Sequence, residues 1–412
     1  MGKNTIRQYD FLIIGAGASG MMAAILAARK GKKVCILEKL DKAGKKLLAT
    51  GNGKCNFTNE KMSVDCFHGD KAFVEHVLNQ FSVEDCLRFF HSIGIYPKNK
   101  NGYFYPNSEQ ASSVVNSLIY ELNRLNVKIF YQTKVVDILP KDSLVRVNTD
   151  KGEFLGKHLV IATGLLAAPK LGSDGSLFEI IKSLGHSFNP VLPTLCGYYC
   201  KGLKFKSISG VRAYGTVSSY INDEKIQEDT GEIQFTEYGL SGIPVFQISN
   251  SLSKGLYEKN TVEIQINLLP DFSKEQLMEE LNYRVSMNSF MPIGALLNGL
   301  VNQKLSDMIL EKAGINKEMY VSSIAATDIA RIGDLLQKIT VKVTKFRDFE
   351  FAQVCTGGIP VSDVKWENLE SKLVPNVHFT GEILDVDGIC GGYNLHFAWA
   401  TGYIVGNIEE VV

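Results

Sequence analysis

The most constraining feature of this sequence is a segment near its N-terminus, residues 10–38. An apolar run from Phe11 to Ile14 is followed by glycines spaced as G-x-G-x-x-G, at positions 15, 17 and 20. Residues 18–30, rich in alanine and methionine, predict a buried helix, and residues 34–38 predict a second strand that ends in an acid. Because strand, glycine turn, helix, strand and acid follow in this order, the segment predicts a βαβ unit that opens a parallel sheet.

Each part of this unit has a mechanical task. Gly15 permits a tight turn, Gly17 lets the backbone approach a pyrophosphate, and Gly20 lets the helix press on the strand. The helix N-terminus offers unpaired N–H groups to a diphosphate, and Glu38 is placed to accept hydrogen bonds from a ribose. A plain glycine turn does not explain the order of strand, glycines, helix, strand and acid. A signal peptide or membrane span in the uncharged residues 11–28 explains neither the three turn-specific glycines nor the second strand. The unit therefore predicts a dinucleotide cofactor.

Composition and charge narrow the possible partners. With 412 residues, the chain has room for two or three domains. Lys plus Arg and Asp plus Glu both number 44, so the net charge of +0 predicts neither a nucleic-acid partner nor an anionic membrane. The eight cysteines form no C-x-x-C pair, which favours reduced thiols in a cytoplasmic protein. No metal signature is present in the sequence, so no bound metal is predicted.

Two loops early in the chain carry residues suited to ligand binding. Residues 39–60 surround several lysines with glycines and short polar residues, and they either follow a phosphate-bearing cofactor or form a solvated basic loop. The loop from Pro97 to Pro106 contains Tyr103-Phe104-Tyr105, which either walls a flat ring or packs the loop onto a core.

The pattern of the remaining elements indicates that the first domain is interrupted. Residues 71–94 predict helical structure, and residues 158–164 predict a late strand of the parallel sheet. From about residue 191, short alternating segments and the hairpin signal Asn222-Asp223 indicate a β-rich insertion, which residues 241–252 continue. Helices follow, among them one at 293–313. The predicted domains are residues 1–190 (cofactor domain, first part), 191–270 (β-rich insertion), 271–338 (helical subdomain) and 339–412 (end of the insertion, to about 354, and cofactor domain, second part).

The C-terminal segment repeats the logic of the N-terminal unit. A predicted strand ends on Gly381-Glu382, a glycine-rich loop follows, and a helix begins near Tyr393. An acid at a strand end suits a ribitol or ribose, and a helix N-terminus stabilises negative charge on a reduced isoalloxazine ring. The alternative is a strand and helix that only complete the sheet.

With both ends in view, the chain resembles the flavoproteins of the two-dinucleotide-binding-domain superfamily. Within it, the chain is similar to the bacterial family of bile-acid reductase-like or aminoacetone oxidase-like NAD(P)/FAD-dependent oxidoreductases. The residues that carry the resemblance are Gly15 to Gly20 with Glu38, Gly44 to Asn59, Tyr103 to Ala111, Ala162-Thr163-Gly164, Gly172 to Gly175, Gly231 to Gly242, Glu370-Ser371-Lys372-Leu373 and Gly381 to Asn394. The family usually has a further glycine and a serine after Ala-Thr-Gly, whereas this chain has Leu165-Leu166-Ala167-Ala168.

The resemblance implies an α/β fold. A Rossmann-like FAD-binding domain, with a central parallel sheet built from both chain ends, would be interrupted by a β-barrel-like domain and a small helical domain. The predicted FAD-binding residues are Gly15, Gly17, Ala18, Ser19, Gly20, Glu38, Lys39, Lys46, Asn56, Val135, Ala162, Thr163, Gly164, Gly381, Glu382, Asp387, Gly392, Tyr393, Asn394 and Leu395.

The function expected from these features is FAD-dependent oxidation and reduction of a small molecule. One hypothesis is reduction of an activated C=C bond, as in an enone or steroid, by hydride transfer from flavin N5. NAD(P)H would then be a transient donor, because no second G-x-G-x-x-G follows a strand. The alternatives are an amine oxidase that uses oxygen and a flavin-binding sensor without turnover. The candidate proton donors, each of which can also serve only in packing, are Tyr103, Tyr105, Tyr393 and His396.

Overall fold

The computed structural model describes residues 7–141 and 143–409. The predicted first and last domains also include residues 1–6 and 410–412, which lie outside the described residues. Contacts within the chain divide it into two compact units. The first unit contains the residues up to 193 and those from 352 onward, and the second contains residues 194–351.

The first stretch of the chain, up to residue 194, contains eleven strands and six helices among its described residues. They are β1 (Arg7–Ile14), α1 (Ala18–Arg29), β2 (Val34–Leu37), α2 (Lys45–Ala49), β3 (Thr58–Asn59), β4 (Phe67–Gly69), α3 (Lys71–Gln80), α4 (Val83–Ser92), β5 (Pro97–Lys100), β6 (Tyr103–Pro106), α5 (Ala111–Arg124), β7 (Lys128–Phe130), β8 (Val135–Lys141), β9 (Leu144–Thr149), β10 (Gly152–Ile161), α6 (Phe178–Ser183) and β11 (Asn189–Thr194).

The rest of the chain supplies the second unit and then returns to the first. The second unit contains β12 (Tyr198–Lys201), α7 (Phe205–Ile208), β13 (Arg212–Ile221), β14 (Glu224–Phe235), β15 (Gly239–Ser241), α8 (Ile243–Gln247), α9 (Ser249–Tyr257), β16 (Val262–Asn267), α10 (Lys274–Met287), α11 (Gln303–Ala313), α12 (Ala326–Gln337) and β17 (Ile339–Phe346). The returning segment contains β18 (Val354–Gly358), β19 (Val377–Phe379), β20 (Val386–Gly388) and α13 (Tyr393–Gly406).

The core of the first unit is a mostly parallel sheet built from both ends of the chain. Its strands lie in the order β7-β2-β1-β10-β9-β8, and β19 also pairs with β10. β1 runs parallel to β2 and β10, and its residues from Phe11 onward are buried. Buried strands of this kind need continuous apolar runs because helices cover both faces of a parallel sheet. The predicted Rossmann-like sheet with contributions from both chain ends is confirmed.

Two helices that begin at glycine loops pack closely against each other. A Cβ at Gly402 of α13 would lie 2.5 Å from the carbonyl oxygen of Ser19 in α1, and one at Gly406 would lie 2.7 Å from that of Ala23. Such close approach of two backbones is possible only where side chains are missing. Nearby, β20 pairs with β4, and β3, β6 and β5 form a three-stranded sheet.

The second unit contains a closed six-stranded barrel, in the order β12-β15-β14-β13-β16-β17. Its strands bury alternating apolar residues such as Val217, Ile233 and Ile264. Asn222 and Asp223, both at positive φ, form the two-residue turn between β13 and β14, as the hairpin signal predicts. The predicted β-barrel-like insertion is confirmed, and the helices α10 to α12 belong to the same compact unit.

Several predicted elements differ from those in the structure. Residues 71–94 are helical as predicted, but they are divided into two helices because the capping box of Ser82 and Asp85 starts a new helix after Phe81. Residues 241–252, predicted to continue the β-structure, are mainly α8 and α9, and a short apolar run cannot distinguish these two states by pattern alone. The predicted helix at 293–313 is regular only from Gln303.

The structure shows no candidate for a membrane-spanning helix: none of the described helices combines the necessary length with the necessary hydropathy.

Candidate functional site

The N-terminal glycine loop has two kinds of glycine. Gly15 has a φ of +104°, and a Cβ there would lie 2.5 Å from the carbonyl oxygen of Ala162. A Cβ at Gly20 would lie 2.1 Å from the carbonyl oxygen of Gly15, so this glycine is required for packing of α1 on β1. Among the described residues, a Cβ at Gly17 would meet Ala162 alone, at 4.0 Å. The chain's own packing therefore does not require a glycine at position 17, and the open space suits a ligand.

The space beside Gly17 lies at the N-terminus of α1. Gly17 is the N-cap residue, and no side chain caps the helix. The first turn, which includes Ala18, Ser19 and Gly20, thus has backbone N–H groups without an intrahelical partner. A diphosphate matches both this charge and this space, and the residues fit the ADP half of FAD.

Glu38 lies at the end of β2 and is almost completely buried. Its carboxylate accepts a hydrogen bond from the N–H of Ala16 and one from the N–H of Leu40, each at 2.8 Å. The N–H of Thr133 donates to the carbonyl oxygen of Glu38, which brings the segment before Val135 to the same edge. Each carboxylate oxygen keeps a lone pair, so Glu38 can hold the glycine loop and still accept bonds from a ribose.

A second group of predicted residues meets at Glu382, although they lie far apart in the sequence. The ammonium of Lys46 is 2.5 Å from Glu382 Oε2, and the N–H of Cys355 donates to Oε1 at 3.0 Å. A Cβ at Gly164 would lie 3.2 Å from the same Oε2, so the Ala162-Thr163-Gly164 turn lies beside this ion pair. Glu382 therefore positions Lys46 in the structure, and Lys46 in turn keeps a cation beside the turn that follows β10.

Two further features lie near this group: Lys39, which was predicted to bind FAD, and the loop at 165–168, which departs from the family pattern. Lys39 forms an ion pair with Asp174 in the loop that follows the Gly164 turn. In that loop Leu165 and Ala167 are fully buried. The departure from the family pattern at 165–168 thus fills space inside the protein.

The N-terminus of α13 resembles that of α1 in lacking a side-chain cap. Its N-cap residue, Gly392, has a φ of +91°, and a Cβ there would lie 2.8 Å from Asn56 Oδ1. Among the described residues, the buried Oδ1 atom of Asn56 has no hydrogen-bond partner. A buried acceptor without a partner is costly, and a donor on a bound ligand would remove that cost. This observation fits the isoalloxazine end of FAD.

The other predicted residues of this loop support its shape. Asn394 accepts a hydrogen bond from the N–H of Gly388 at 2.8 Å and donates one to the carbonyl oxygen of Gly388 at 2.7 Å. Asp387 is buried on β20 and lies opposite His68 in the register of the antiparallel pair β20–β4. Leu395 lies in the first turn of α13. Gly381, at a φ of +76°, lies against Ser19 of α1.

Three tyrosines lie at the glycine loop that precedes α13. A Cβ at Gly391 would lie 2.8 Å from the ring of Tyr393 and 3.2 Å from the ring of Tyr103. Tyr105 lies against Gly51, where a Cβ would be 3.6 Å from the tyrosine ring. Burial, a hydrogen bond to Cys66 and the proximity of that thiol raise the pKa of Tyr393 above its ordinary value. These phenols therefore lie together at the end of the site where α13 begins.

His396 differs from the tyrosines. It is fully buried, its Nε2 is 3.0 Å from the carbonyl oxygen of Phe81, and its Nδ1 is 2.8 Å from Thr58 Oγ1. Because the carbonyl can only accept, Nε2 carries the proton and Nδ1 accepts from the threonine. Burial lowers the pKa of His396 to about 4. Both nitrogens are used, so His396 serves in packing and we do not retain it as a proton donor.

The sequence also contained a signal that the prediction missed. The segment 97–106, predicted as a loop, is a hairpin in which β5 pairs with β6. Asn101 and Gly102, both at positive φ, form its turn, and Asn-Gly is the strongest short hairpin signal. Cys66, which contacts Tyr393, had no sequence signal because 327 residues separate the two.

Comparison with protein families gives the decisive observation for this arrangement. The model of the HI0933-like protein Rossmann domain matches residues 9–408. The chain belongs to the HI0933-like family. It is an FAD-dependent oxidoreductase, in agreement with the predicted cofactor and enzyme class.

Two relatives in sequence and one solved structure are similar to this HI0933-like chain over most of its length. A Clostridium scindens protein named 3-dehydro-bile acid delta(4,6)-reductase is 39% identical over 397 residues, which cover 96% of this chain and 97% of that protein. A Haemophilus influenzae protein named ribosomal RNA dihydrouridine synthase is 28% identical and covers 95% of this chain and 96% of its own. The solved structure of 3-ketosteroid-delta4-(5alpha)-dehydrogenase from Rhodococcus jostii matches with a TM-score of 0.50 at 14% identity. The match covers 97% of this chain and 96% of that chain, so the two proteins share the fold.

Proposed function

We propose that this protein reduces a C=C bond conjugated to a carbonyl group, with NAD(P)H as the source of electrons. The Clostridium scindens relative is named for reduction of the 4,6 double bonds of a 3-dehydro-bile acid, and the Haemophilus influenzae relative for formation of dihydrouridine. In a 3-oxo-4-ene and in uracil alike, the double bond is conjugated to a carbonyl. Enone reduction is therefore the reaction class that the two names have in common.

Reduction of such a bond needs a hydride at one carbon and a proton at the other. FAD, when bound, supplies the hydride chemistry. The residues of this chain must hold the substrate and supply the proton. Tyr103 is the residue we assign to this role, because its side chain is 36% exposed and its ring contacts Gly391, next to the start of α13. This contact is the observation that carries the assignment.

In this proposal Tyr393 and Tyr105 are not the proton donors, and they keep the surroundings of Tyr103 uncharged. Tyr393 is only 7% exposed and its hydroxyl lies close to the Cys66 thiol, so it is less able to reach a substrate. Burial also raises the pKa of Tyr105. Because burial raises the pKa of both phenols, they present O–H groups throughout the physiological range and do not add charge beside a bound ring.

The proposal is tested with Tyr103→Phe. General acid catalysis contributes about 100-fold or more, so we expect kcat with a 3-oxo-4-ene steroid to fall about 100-fold while FAD content is unchanged. Tyr120→Phe is the matched control, because Tyr120 is 71% exposed on α5. A Tyr103→Phe variant with wild-type kcat would exclude Tyr103 as the donor, and Tyr393→Phe and Tyr105→Phe would be compared next.

A second candidate is reduction of uridine in ribosomal RNA. The observation in its favour is the similarity to the Haemophilus influenzae relative across 95% of this chain. The absence of a nucleic-acid partner thus stays a prediction that rests on the net charge of +0. Incubation with unmodified ribosomal RNA and NADPH, followed by mass spectrometry of nucleosides, separates the two candidates.

The remaining alternatives receive less support. A sensor without turnover does not agree with the assignment of the chain to FAD-dependent oxidoreductases. An amine oxidase would release peroxide when given an aminoacetone-like donor in air. Detection of peroxide at a rate comparable to enone reduction would favour it over a reductase.

A further inference from the structure

One face of the β5–β6 hairpin combines cations with aromatic rings. In this antiparallel pair Lys98 lies opposite Tyr105, and Lys100 lies opposite Tyr103. Residues that lie opposite each other, or two apart on one strand, point to the same face of a sheet. Two lysines and two tyrosines therefore share one face, while Asn99 points to the other, where it donates a hydrogen bond to Glu60.

The lysines of this face converge on a single carboxylate. Glu109 Oε1 lies 2.9 Å from the ammonium of Lys98 and 2.5 Å from that of Lys100, and its Oε2 lies 3.4 Å from that of Lys54. These ammoniums lower the pKa of Glu109 to about 2, so the carboxylate remains ionised at physiological pH. One negative charge against three positive charges leaves two cations in excess, and the three lysine side chains are 39% to 48% exposed.

The same face is next to the loop to which the reaction is assigned. Tyr103 contacts Gly391, and Tyr105 contacts Gly51 beside Asn56. The lysines lie across the hairpin from these rings, within about 5 Å at the level of their Cβ atoms. A molecule whose flat apolar ring lay along the tyrosines would bring an attached side chain to the ammoniums.

We propose that Lys54, Lys98 and Lys100 bind a carboxylate on the side chain of the ring substrate, an inference that rests on the proposed enone reduction. Lys98 and Lys100 lie on the β5–β6 hairpin and Lys54 reaches the same carboxylate from an earlier loop, so the excess charge is local, whereas the whole chain has a net charge of +0. A polyanion such as RNA is bound by a basic surface that extends over many phosphates. A local excess of two charges matches a single small anion better.

The test compares 3-oxo-4-cholenoic acid with its methyl ester, which has the same rings and no charge. In the variant Lys98→Gln/Lys100→Gln, we expect the preference for the acid over the ester in kcat/KM to fall about tenfold, mainly through KM. Lys182→Gln/Lys345→Gln is the matched control, because these exposed lysines also pair with single carboxylates. Glu109→Gln frees the three ammoniums and should raise the preference severalfold, a gain that structural damage would not produce.

Other outcomes would overturn the inference. Equal losses for acid and ester would indicate a structural role, a higher KM for NAD(P)H alone would assign the cations to the donor's phosphates, and loss of RNA binding alone would indicate a polyanion site. If the wild type reduces neither probe, the proposed function fails, and equilibrium dialysis with both probes then decides on the lysines. Tighter binding of the acid that is lost in Lys98→Gln/Lys100→Gln supports the carboxylate site, and equal binding of both probes by the wild type contradicts it.

Discussion

The two glycine loops of the first unit, Gly15–Gly20 and Gly388–Asn394, are built alike but are filled differently. Each follows a strand and leads into a helix without a side-chain cap, α1 or α13. In the first loop, Gly17 faces space that no side chain in the described part of the chain occupies. In the second loop, Gly391 is pressed between the rings of Tyr103 and Tyr393, and Gly392 lies against Asn56.

We propose that this difference separates binding of the cofactor from the chemistry on the substrate. The first loop offers backbone N–H groups and space, which suit a diphosphate in any enzyme that holds FAD. The second loop is surrounded by phenol, thiol and amide groups, which can select a substrate and deliver a proton. Changes at the first loop should therefore affect cofactor content, and changes at the second should affect turnover.

The largest expected effects, on stability and on FAD content, come from replacing Gly20 or Gly17 of the first loop by valine. Gly20→Val should destabilise the protein by about 3 kcal/mol or more, because its Cβ would overlap the carbonyl oxygen of Gly15. Gly17→Val should lose most of its FAD, although its apoprotein should unfold within about 2 °C of the wild-type apoprotein. Visible spectra give the FAD content, and thermal unfolding of both apoproteins gives the stability.

Two results would contradict this distinction. Normal FAD content in Gly17→Val would show that the loop does not hold the pyrophosphate. A Gly17→Val apoprotein as unstable as Gly20→Val would show that glycine is needed there for packing.

A smaller effect is expected from pH on the free energy of unfolding, through a histidine that follows the second loop. His396, in the first turn of α13, has a pKa lowered to about 4, whereas an unfolded chain has the ordinary value of 6.5. Between these values the unfolded state binds more protons, so the free energy of unfolding falls as the pH falls from about 7 towards 4. The contribution of His396 between pH 7.5 and 5.5 is about 1 kcal/mol. Denaturant unfolding of the wild type and His396→Gln at both pH values measures it, and equal pH dependence in the two proteins would contradict this assignment.

The sequence predicted the first loop more completely than the second. The unit from residue 10 to 38 is local, so its strand, glycine turn and helix follow from consecutive residues. The neighbours of the second loop come from distant segments: Asn56 and Tyr103 reach Gly392 and Gly391 only through the folded sheet. The pairing of Lys46 with Glu382 joins residues 336 positions apart, which spacing alone cannot reveal.

Some errors arose from patterns that more than one structure satisfies. The apolar residues of 241–252 fit a strand or a buried helix, and the chain forms α8 and α9. Residues 97–106 were predicted as a loop although the Asn101-Gly102 signal for a hairpin was present, and they form the β5–β6 hairpin. The register of that hairpin places Lys98 and Lys100 beside the tyrosines, so the missed turn also concealed the cationic face. The cytoplasmic location and the individual FAD contacts stay predictions.

The most direct test of the central claim is the visible spectrum of the purified protein under anaerobic conditions. NADH and NADPH are added in separate samples, and 3-oxo-4-cholenoic acid is added afterwards. We expect the flavin band to bleach with one of the two nucleotides and to return when the enone is added, with formation of the saturated ketone. A flavin band that neither nucleotide bleaches, or a reduced flavin that the enone does not reoxidise, would contradict an NAD(P)H-driven reduction of an enone.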